Sequence, residues 1–369
     1  MTLITDVSQS LLLRFDPRAD NANGEDRLCG QISAVVQAEG YLWVASDESN
    51  SIERFSRTES GIYAQHQTFR LTNFLTLPGN EKEEIDIEGL GYDSGYIWVV
   101  GSHSVRRRKA DSKEKVAKQI RRLGELRTTD NRYLLARIPL APDTAGEWTP
   151  RKHVEGAKKT SRTAARLMGD DGGNVLTDAL RLDEHIGPFL SIPSKDNGFD
   201  IEGLAVCGNR VFLGLRGPVL GGWAIVIEIL LKDIAPGFIG LAAIDDDDRL
   251  YRKHFLDLRG LGVRDLCFHG SDLLVLAGTS MSLNGPAAIF RWAGALDATG
   301  ETLLARAKLP EVVELPYKTG TENVNKRPEG FTIYPNDNKS TALLVVYDSA
   351  GIVGKPEEND LQADLFPLK

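Results

Sequence analysis

Short runs of Val, Ile, Leu and Trp alternate with turn residues along most of the chain, and one such pattern repeats. Each copy begins with a short apolar strand that has an acidic residue near its start. A turn and a second apolar strand follow, and the copy ends in small polar residues. The clearest copies are DIEGLGYDSGYIWVVGSHS from Asp86, DIEGLAVCGNRVFLGLRG from Asp200 and RPEGFTIYPNDNKSTALLVVYDS from Arg327. Weaker copies start at Val263 and at Gln31. Apolar runs this short, bounded by Gly, Asn and Asp, predict β-strands rather than helices.

Further apolar runs follow the better copies, such as WAIVIEI and RLYRKHFLDL after Arg216. Four antiparallel strands repeated along a chain are typical of a β-propeller. The spacing of the copies predicts an all-β fold of five four-stranded blades, or six if residues 141–200 contain further strands. The N-terminal SLLLRF segment is expected to pair with the C-terminal DLFPL segment and close the ring. We therefore interpret residues 1–369 as a single domain.

Two stretches interrupt the strand pattern, at residues 106–132 and 151–190, and are predicted to be helical or loop insertions. Val116, Ile120 and Leu123 share one helical face, which predicts an amphipathic helix. A further helix is predicted at 175–186. Residues 106–132 carry a net charge of +7, although the whole chain carries −8. This segregation indicates either a solvated helix or a flap that attracts anions.

Composition excludes several classes of protein. Hydrophobic residues make up 41% and charged residues 26% of the 369 residues, which is typical of a soluble globular protein. No apolar run approaches the roughly 20 residues that a membrane-spanning helix needs, and the first residues lack a signal peptide pattern. The three cysteines are isolated, which predicts reduced thiols. We expect a cytoplasmic monomer without membrane contact.

Polar residues recur at two places in the repeat that a propeller brings together. The first strand of a blade starts, and the second ends, on the same face. The first strands contribute Glu88, Glu202, Asp265 and Glu329. The second strands contribute Asp47, Ser102, His103, Arg216, Thr279 and Asp348, and Arg264 and Arg327 lie beside the acids. Converging carboxylates repel one another unless arginines or a hard cation such as Ca²⁺ compensate them. Alternatively, each Glu is purely structural and accepts backbone N–H groups of a neighbouring blade.

Three phrases carry a resemblance to known families. They are D-I-E-G-L before a W-V or F-L strand, the helical L-T-D-A-L-R-L-D-E-H segment, and R-P-E-G-F. With these phrases the chain resembles, over nearly its whole length, a bacterial β-propeller family of unknown function. More remotely, E-G-L at a strand start is similar to the esterase-like domain of the phytase family. That likeness implies channel-mouth carboxylates that bind calcium and phosphate, and the hydrolysis of phosphate esters. The Val263 copy lacks the E-G pair, and the Gln31 copy lacks the acid.

These observations support three hypotheses. The first is a hydrolase acting on ester bonds, a metal-dependent phosphoesterase or a binder of anionic small molecules. Under this first hypothesis, the ligands of Ca²⁺ would be Glu88, Glu202, Asp265 and Glu329. Catalysis would involve His103 with Glu88, Glu202 and Glu329. Substrate would be bound by Arg216, Arg264, Arg327, Arg106 and Arg107. The second is a non-enzymatic platform for an acidic protein partner. The third, nucleic-acid binding through the basic insertion, is disfavoured by the acidic remainder of the chain and by the lack of aromatic residues among the arginines.

Overall fold

The computed structural model describes residues 3–17, 28–156, 160–170, 172–281, 285–315, 327–335, 341–348 and 360–368. Two segments of the predicted insertion at 151–190, residues 157–159 and 171, lie outside these ranges. Within the ranges the α-helices are α1 (Val116–Gly124) and α2 (Val175–Leu180). Both predicted helices therefore form, although the second ends at Leu180 rather than at residue 186. No helix in the described part of the chain is long and apolar enough to cross a membrane.

Short 3-10 helices lie at Leu28–Gly30, Leu71–Asn73, Asp130–Tyr133, Gly187–Phe189, Ser194–Asp196, Ala295–Asp297 and Arg306–Lys308. The strands are, in chain order, β1 (Gln9–Arg14), β2 (Ile32–Ala38), β3 (Tyr41–Ser46), β4 (Ser51–Glu59), β5 (Ile62–Arg70), β6 (Ile87–Asp93), β7 (Tyr96–Gly101), β8 (Arg106–Arg107), β9 (Leu126–Arg127), β10 (Leu135–Pro142), β11 (Trp148–Pro150), β12 (His153–Val154), β13 (Arg162–Thr163), β14 (Ala165–Leu167), β15 (Asp200–Cys207), β16 (Arg210–Gly217), β17 (Trp223–Ala235), β18 (Phe238–Ala242), β19 (Tyr251–Asp257), β20 (Gly262–His269), β21 (Asp272–Gly278), β22 (Ala287–Trp292), β23 (Thr302–Leu304), β24 (Glu311–Leu315), β25 (Arg327–Pro335), β26 (Thr341–Asp348) and β27 (Asp360–Pro367).

The two ends of the chain meet in one curled sheet, whose strand order is β2-β3-β4-β5-β1-β27-β26-β25. β1 pairs antiparallel with β27, from Gln9 opposite Leu365 to Arg14 opposite Asp360. On its other side, β1 runs parallel to β5, with Leu12 opposite Ile62. The predicted pairing of the SLLLRF and DLFPL segments is confirmed, and it joins the first and last copies of the repeat.

The middle of the chain forms a larger sheet with the main order β15-β16-β17-β18-β14-β10-β7-β6, and β19 also pairs with β17. A separate four-stranded sheet has the order β20-β21-β22-β24. The pairs β8-β9 and β12-β13 form small ribbons. Residues 141–200 therefore do contain strands, but they are short, and β14 links β10 to β18 within the larger sheet.

The first strands of the five copies, β2, β6, β15, β20 and β25, lie next to one another in that order, and β25 contacts β2. Hydrophobic clusters fill the spaces between consecutive copies, with Trp43 between the first two and Phe199 between the next two. A cavity of about 400 Å³ lies among these five strands and is lined by residues of each of them. The molecule is thus all-β, with curled and nearly closed sheets around a central channel.

Glycine in the repeated E-G pair allows the inner strands to approach closely. A Cβ on Gly89 would lie 2.8 Å from the Cβ of Leu204 on the next inner strand, and one on Gly203 would lie 2.8 Å from Cγ of Leu266. Contacts this short do not occur between real Cβ atoms, so a side chain at these positions would push the strands apart. The recurrence of Gly after the acid therefore has a packing cause.

Candidate functional site at the channel mouth

Every inner strand carries a one-residue irregularity near its start. In β6 the pairing passes from Ile87 opposite Gly101 to Gly89 opposite Val100, so that Glu88 is the extra residue. The same shift places an extra residue in each of the other four inner strands: Ser33, Glu202, Arg264 and Glu329. A β-bulge turns the extra side chain away from the regular alternation of the strand. The equivalent positions of the repeat are therefore Ser33, Glu88, Glu202, Arg264 and Glu329.

This register corrects the alignment of the fourth copy and defines that of the first. In the fourth copy the counterpart of Glu88 is Arg264, whereas Asp265 aligns with Gly89. In the first copy the counterpart is Ser33. The apolar residue that precedes each bulge, Ile87 in the second copy and Val263 in the fourth, was a signal for the correct alignment. An alignment on the acids alone obscures that signal.

A continuous chain of ion pairs runs across three copies of the repeat. Arg216 contacts Asp200 (Nη2 to Oδ2, 2.6 Å) and Glu202 (Nη1 to Oε1, 2.8 Å). Arg264 in turn contacts Glu202 (Nε to Oε2, 3.0 Å) and Glu329. Asp200 and Glu202 are buried, whereas the two arginines and Glu329 are half-buried. Arginine therefore compensates the predicted acids on this side of the mouth, which is one of the two compensations expected from the sequence.

The residues of this ion-pair chain differ in how burial and neighbouring charges shift their pKa values. Burial opposes the charge of Arg216, but Asp200 and Glu202 outweigh it and raise the pKa of the guanidinium. Burial raises the pKa of Asp200 to about 7 even though Arg216 opposes the rise. Arg264 uses Nε and Nη2 for carboxylates. Burial lowers the pKa of its guanidinium, although Glu202 opposes the change.

The second copy holds its own buried ion pair. Arg132 contacts Asp86, and its Nη1 donates to Oγ of Ser104 at 2.9 Å. Ser104 donates to Oγ of Ser102 at 3.0 Å, and all four residues are buried. Asp86 is therefore neutralised beneath the mouth, and Ser102 is held in a structural network. Arg132 was not predicted, because its distance in sequence from Asp86 gives no sign that the two meet.

Glu88 and Asp47 differ from the other acids at the mouth. Neither forms a side-chain hydrogen bond or ion pair within the described ranges, and both are half-buried. Burial raises the pKa of Glu88 well above its usual value, and the nearby carboxylates of Asp86, Glu202 and Asp47 raise it further. Burial likewise raises the pKa of Asp47 to about 7, with Asp86 adding to the effect. Burial and neighbouring acids thus make both carboxyls hold their protons more tightly than exposed carboxyls do.

His103 lies in the wall beside the mouth, not free within it. Its Nδ1 lies 2.8 Å from the carbonyl oxygen of Gly101, and its Nε2 lies 2.8 Å from the side-chain nitrogen of Asn174. Since the carbonyl can only accept, Nδ1 carries the proton and Nε2 accepts from the amide. Burial lowers the pKa of His103 to about 4. Both ring nitrogens are thus occupied by protein groups, which leaves His103 without a free nitrogen for a substrate.

Asp265 points into the packing between inner strands. Its Oδ1 accepts the backbone N–H of Leu266 at 2.7 Å, and its Oδ2 accepts that of Phe331 at 2.9 Å. The backbone N–H of Leu204 is a further donor to it. Burial raises the pKa of Asp265, and these backbone donors oppose the rise. This carboxylate connects three neighbouring inner strands, which is the structural role considered for each acid.

The predicted calcium ligands do not fit a metal ion in this arrangement. Within the described ranges no three His, Cys, Asp or Glu side chains are grouped so as to hold one. Glu202 and Glu329 are engaged by Arg264, and Asp265 is engaged by backbone N–H groups. Ca²⁺ requires six to eight oxygen ligands. Three of the four predicted ligands are therefore committed to protein groups instead.

The remaining predicted arginines lie at the rim. Arg106 pairs with Glu84, and Arg107 pairs with Asp196 (Nη2 to Oδ2, 2.8 Å). Arg327 is exposed and lies opposite Asp348 in the strand register. Lys195 was not predicted. Partial burial lowers its pKa, and Lys109 and Arg216 lower it further, whereas Glu88 and Asp200 oppose the change. A rim cation therefore faces the acidic mouth.

A family model described as "Protein of unknown function (DUF3616)" matches residues 31–364. A comparison with curated proteins gives no match. Among solved structures, a glutaminyl cyclase from Myxococcus xanthus aligns over 100% of both chains with 7% identity and a TM-score of 0.40. An aldose sugar dehydrogenase from Streptomyces coelicolor, in its PQQ-bound form, covers 97% of this chain and 98% of its own, with 12% identity and a TM-score of 0.33.

A hypothetical protein from Leishmania major covers 99% of this chain and 91% of its own, with 10% identity and a TM-score of 0.37. TM-scores and identities this low support no argument about the reaction or the ligand. The chemistry of the site must therefore be inferred from its own residues.

Proposed function

The chain belongs to the DUF3616 family of proteins of unknown function, and we propose that its channel mouth is an acid–base site that hydrolyses ester bonds of a small uncharged substrate. The observation that carries this proposal is the state of Glu88. It is a half-buried carboxyl with a raised pKa and no partner in the described ranges, whereas neighbouring acids are paired with arginine. A protonated carboxyl in a channel is suited to donate its proton to a leaving group.

The fold behind this proposal is a five-bladed propeller. Its support is the contact of the five inner strands in sequence order, together with the cavity that all five line. The common bulge in each of these strands gives each blade one side chain at the mouth. Four-stranded blades are the arrangement that best accounts for the repeat. In the second copy β14 is the fourth strand after β6, β7 and β10, and in the third copy β17 pairs with both β18 and β19.

Three groups would share the reaction. The guanidinium of Arg264 would donate a hydrogen bond to the carbonyl oxygen, where negative charge develops. Asp47, with a pKa of about 7, would accept a proton from the attacking water. Glu88, whose pKa is raised well above its usual value by burial and by neighbouring acids, would give its proton to the leaving oxygen. A pair of carboxyls in one site can take opposite roles, base and acid.

Charge at the mouth favours an uncharged substrate over a phosphate ester, because the acids of the cluster outnumber its cations by two, and by one when Glu88 is protonated. The acids are Asp47, Asp86, Glu88, Asp200, Glu202 and Glu329, and the cations are Arg132, Lys195, Arg216 and Arg264. Carboxylates already occupy most of the arginine donors, and a phosphate dianion would meet an excess of negative charge. The ligand best matched to the mouth is a neutral ester.

A panel of chromogenic esters tests the proposal. Short-chain carboxylic esters and phosphate esters are assayed in the presence of a chelator, with the native protein, Glu88→Gln and Glu84→Gln. Glu84 is a matched control because it is a rim carboxylate paired with Arg106. We expect hydrolysis of carboxylic esters, a loss of about 100-fold or more in kcat for Glu88→Gln, and near-native activity for Glu84→Gln.

Two results would overturn the proposal. One is a native protein that hydrolyses no carboxylic ester in the panel. The other is a Glu88→Gln protein that keeps the native kcat. Phosphate ester hydrolysis that occurs only when Ca²⁺ is added would instead favour the metal-dependent hypothesis.

The pH profile tests the assignment of acid and base. Activity needs Asp47 ionised and Glu88 protonated, so kcat/KM should rise through about pH 7 as Asp47 ionises and should fall as Glu88 ionises. In Asp47→Asn the rising limb should disappear. A native profile that already falls as the pH rises through about 7 would contradict the assignment.

A further inference from the structure

Residues 106–127 form a small unit at the rim of the channel, which we call the basic hairpin. It consists of the ribbon β8-β9 with α1 between the two strands. Its base is attached to the body of the molecule by the ion pairs of Arg106 with Glu84 and of Arg107 with Asp196. These contacts leave the helix itself outside the packed core.

The apolar side of α1 is exposed. Val116, Ile120 and Leu123 are spaced by four and three residues, which places them in one stripe along the helix. Their exposures are 70%, 65% and 46%, and no residue of α1 is buried. Leu126, on the adjoining strand β9, is 48% exposed. Nothing in the described part of the chain covers this stripe.

The charge of the basic hairpin is opposite to that of the rest of the protein. Residues 106–127 contain ten Lys or Arg and three acids, a net of +7. The whole chain carries −8, so the remainder carries −15. Lys113, Lys115, Arg121 and Arg127 are exposed and form no ion pair within the described ranges. The positive charge is therefore available to an external anionic surface.

We propose that the basic hairpin docks the protein on the surface of an anionic lipid bilayer. A helix with an exposed apolar stripe and a Lys/Arg-rich polar side lies in the interface plane, with the stripe among the acyl chains and the cations near the headgroups. The proposal departs from the sequence-based expectation of no membrane contact. It does not depend on the reaction proposed for the channel mouth.

An acidic helix of a partner protein fits the hairpin less well. In a helix pair, the residues that flank the apolar stripe carry the charges that meet the partner. Here the flanking residues are Ala117, Gln119 and Gly124, which are uncharged. Because an α-helix turns 100° per residue, Arg121 and Lys118 lie on the side of α1 opposite the apolar stripe. The headgroups that surround a surface-bound helix can reach these residues, whereas a single partner helix cannot.

Vesicle sedimentation tests the proposal with the full-length protein. Vesicles of phosphatidylcholine alone are compared with vesicles of equal parts phosphatidylglycerol and phosphatidylcholine. We expect binding only to the anionic vesicles, with a decline as salt rises, because the Debye length shrinks from about 10 Å at 0.1 M to about 3 Å at 1 M. The double variant Ile120→Glu/Leu123→Glu should bind at least about ten-fold more weakly, as expected for loss of the apolar stripe.

Two further variants complete the design. Leu182→Glu is the matched control, since Leu182 is 94% exposed and lies outside the hairpin. It should bind like the native protein. Lys115→Glu/Arg121→Glu keeps the stripe and should weaken binding at low salt. Circular dichroism and thermal unfolding check that each variant is folded.

The proposal is overturned if the native protein does not bind anionic vesicles at low salt. It is also overturned if the folded Ile120→Glu/Leu123→Glu variant binds them as the native protein does. Failure to bind vesicles, combined with saturable binding to an acidic amphipathic peptide that requires Ile120 and Leu123, would replace the lipid surface by a protein partner.

Discussion

Replacing Asp47 by Asn should make the protein more stable above neutral pH. Asp47 is half-buried, and burial raises its pKa from 3.8 to about 7, with Asp86, Glu48 and Asp348 contributing repulsion. The folded state therefore binds the proton more tightly than the unfolded state does. The associated stability is fully present below about pH 4 and is lost as the pH rises through about 7. Asn has nearly the same shape and cannot ionise, so it removes this loss.

The size of the effect follows from the rise in pKa. One pKa unit corresponds to about 1.4 kcal/mol, so the rise from 3.8 to about 7 corresponds to about 4 kcal/mol. Because the side chain keeps some contact with solvent, screening reduces this, and we expect roughly 2 kcal/mol. The difference should be near zero at about pH 4 and reach its full size at about pH 8.

Urea denaturation of the native and Asp47→Asn proteins at several pH values measures this difference. Glu48→Gln is the control, because Glu48 is the exposed neighbour of Asp47 and should change stability by less than about 0.5 kcal/mol. An Asp47→Asn protein that is less stable than native at pH 8 would refute the reasoning. That result would mean that the carboxylate has a stabilising partner.

Three further substitutions test the neighbouring structure. Arg216→Met leaves Asp200 buried without its ion-pair partner and Glu202 with Arg264 alone, so it should lower the free energy of unfolding by about 3–5 kcal/mol at pH 8 and by less at pH 5. An equal loss at both pH values would contradict this. Asp265→Leu removes an acceptor for backbone N–H groups and should cost at least about 2 kcal/mol in urea denaturation; a loss below about 0.5 kcal/mol would show that those groups find other partners. Gly89→Ala places a Cβ against the next inner strand and should cost about 1–3 kcal/mol; a thermal midpoint equal to native would mean that the strands can separate without cost.

The repeat allowed much of the architecture to be predicted. Strand pairs at each copy, the amphipathic helix at Val116–Gly124 and the pairing of the two chain ends all follow from local apolar patterns and turn residues. The short strands within residues 141–200 were not predicted. β14, for example, has three residues, too few for an alternating pattern to be recognised.

The site was harder to predict, because a β-bulge shifts the register by one residue without a distinct composition. The pattern V-R-D-L near Val263 contains an acid, and alignment on that acid assigned Asp265 to the mouth. The bulge instead places Arg264 there, and Asp265 bonds the backbone of neighbouring strands. Sequence separation concealed Arg132 and Lys195, since their roles depend on long-range contacts.

Titration of Glu88 shows whether the channel mouth holds a glutamic acid that is protonated near neutral pH. The side-chain carboxyl resonances of protein labelled with ¹³C-glutamate are followed against pH, and the Glu88→Gln protein identifies the resonance of Glu88. We expect Glu88 to stay protonated well above the usual glutamate pKa of about 4.3, because it is buried among other acids. A Glu88 resonance that titrates at or below about 4.3 would contradict the proposal, because Glu88 would then be ionised at neutral pH and would have no proton to donate.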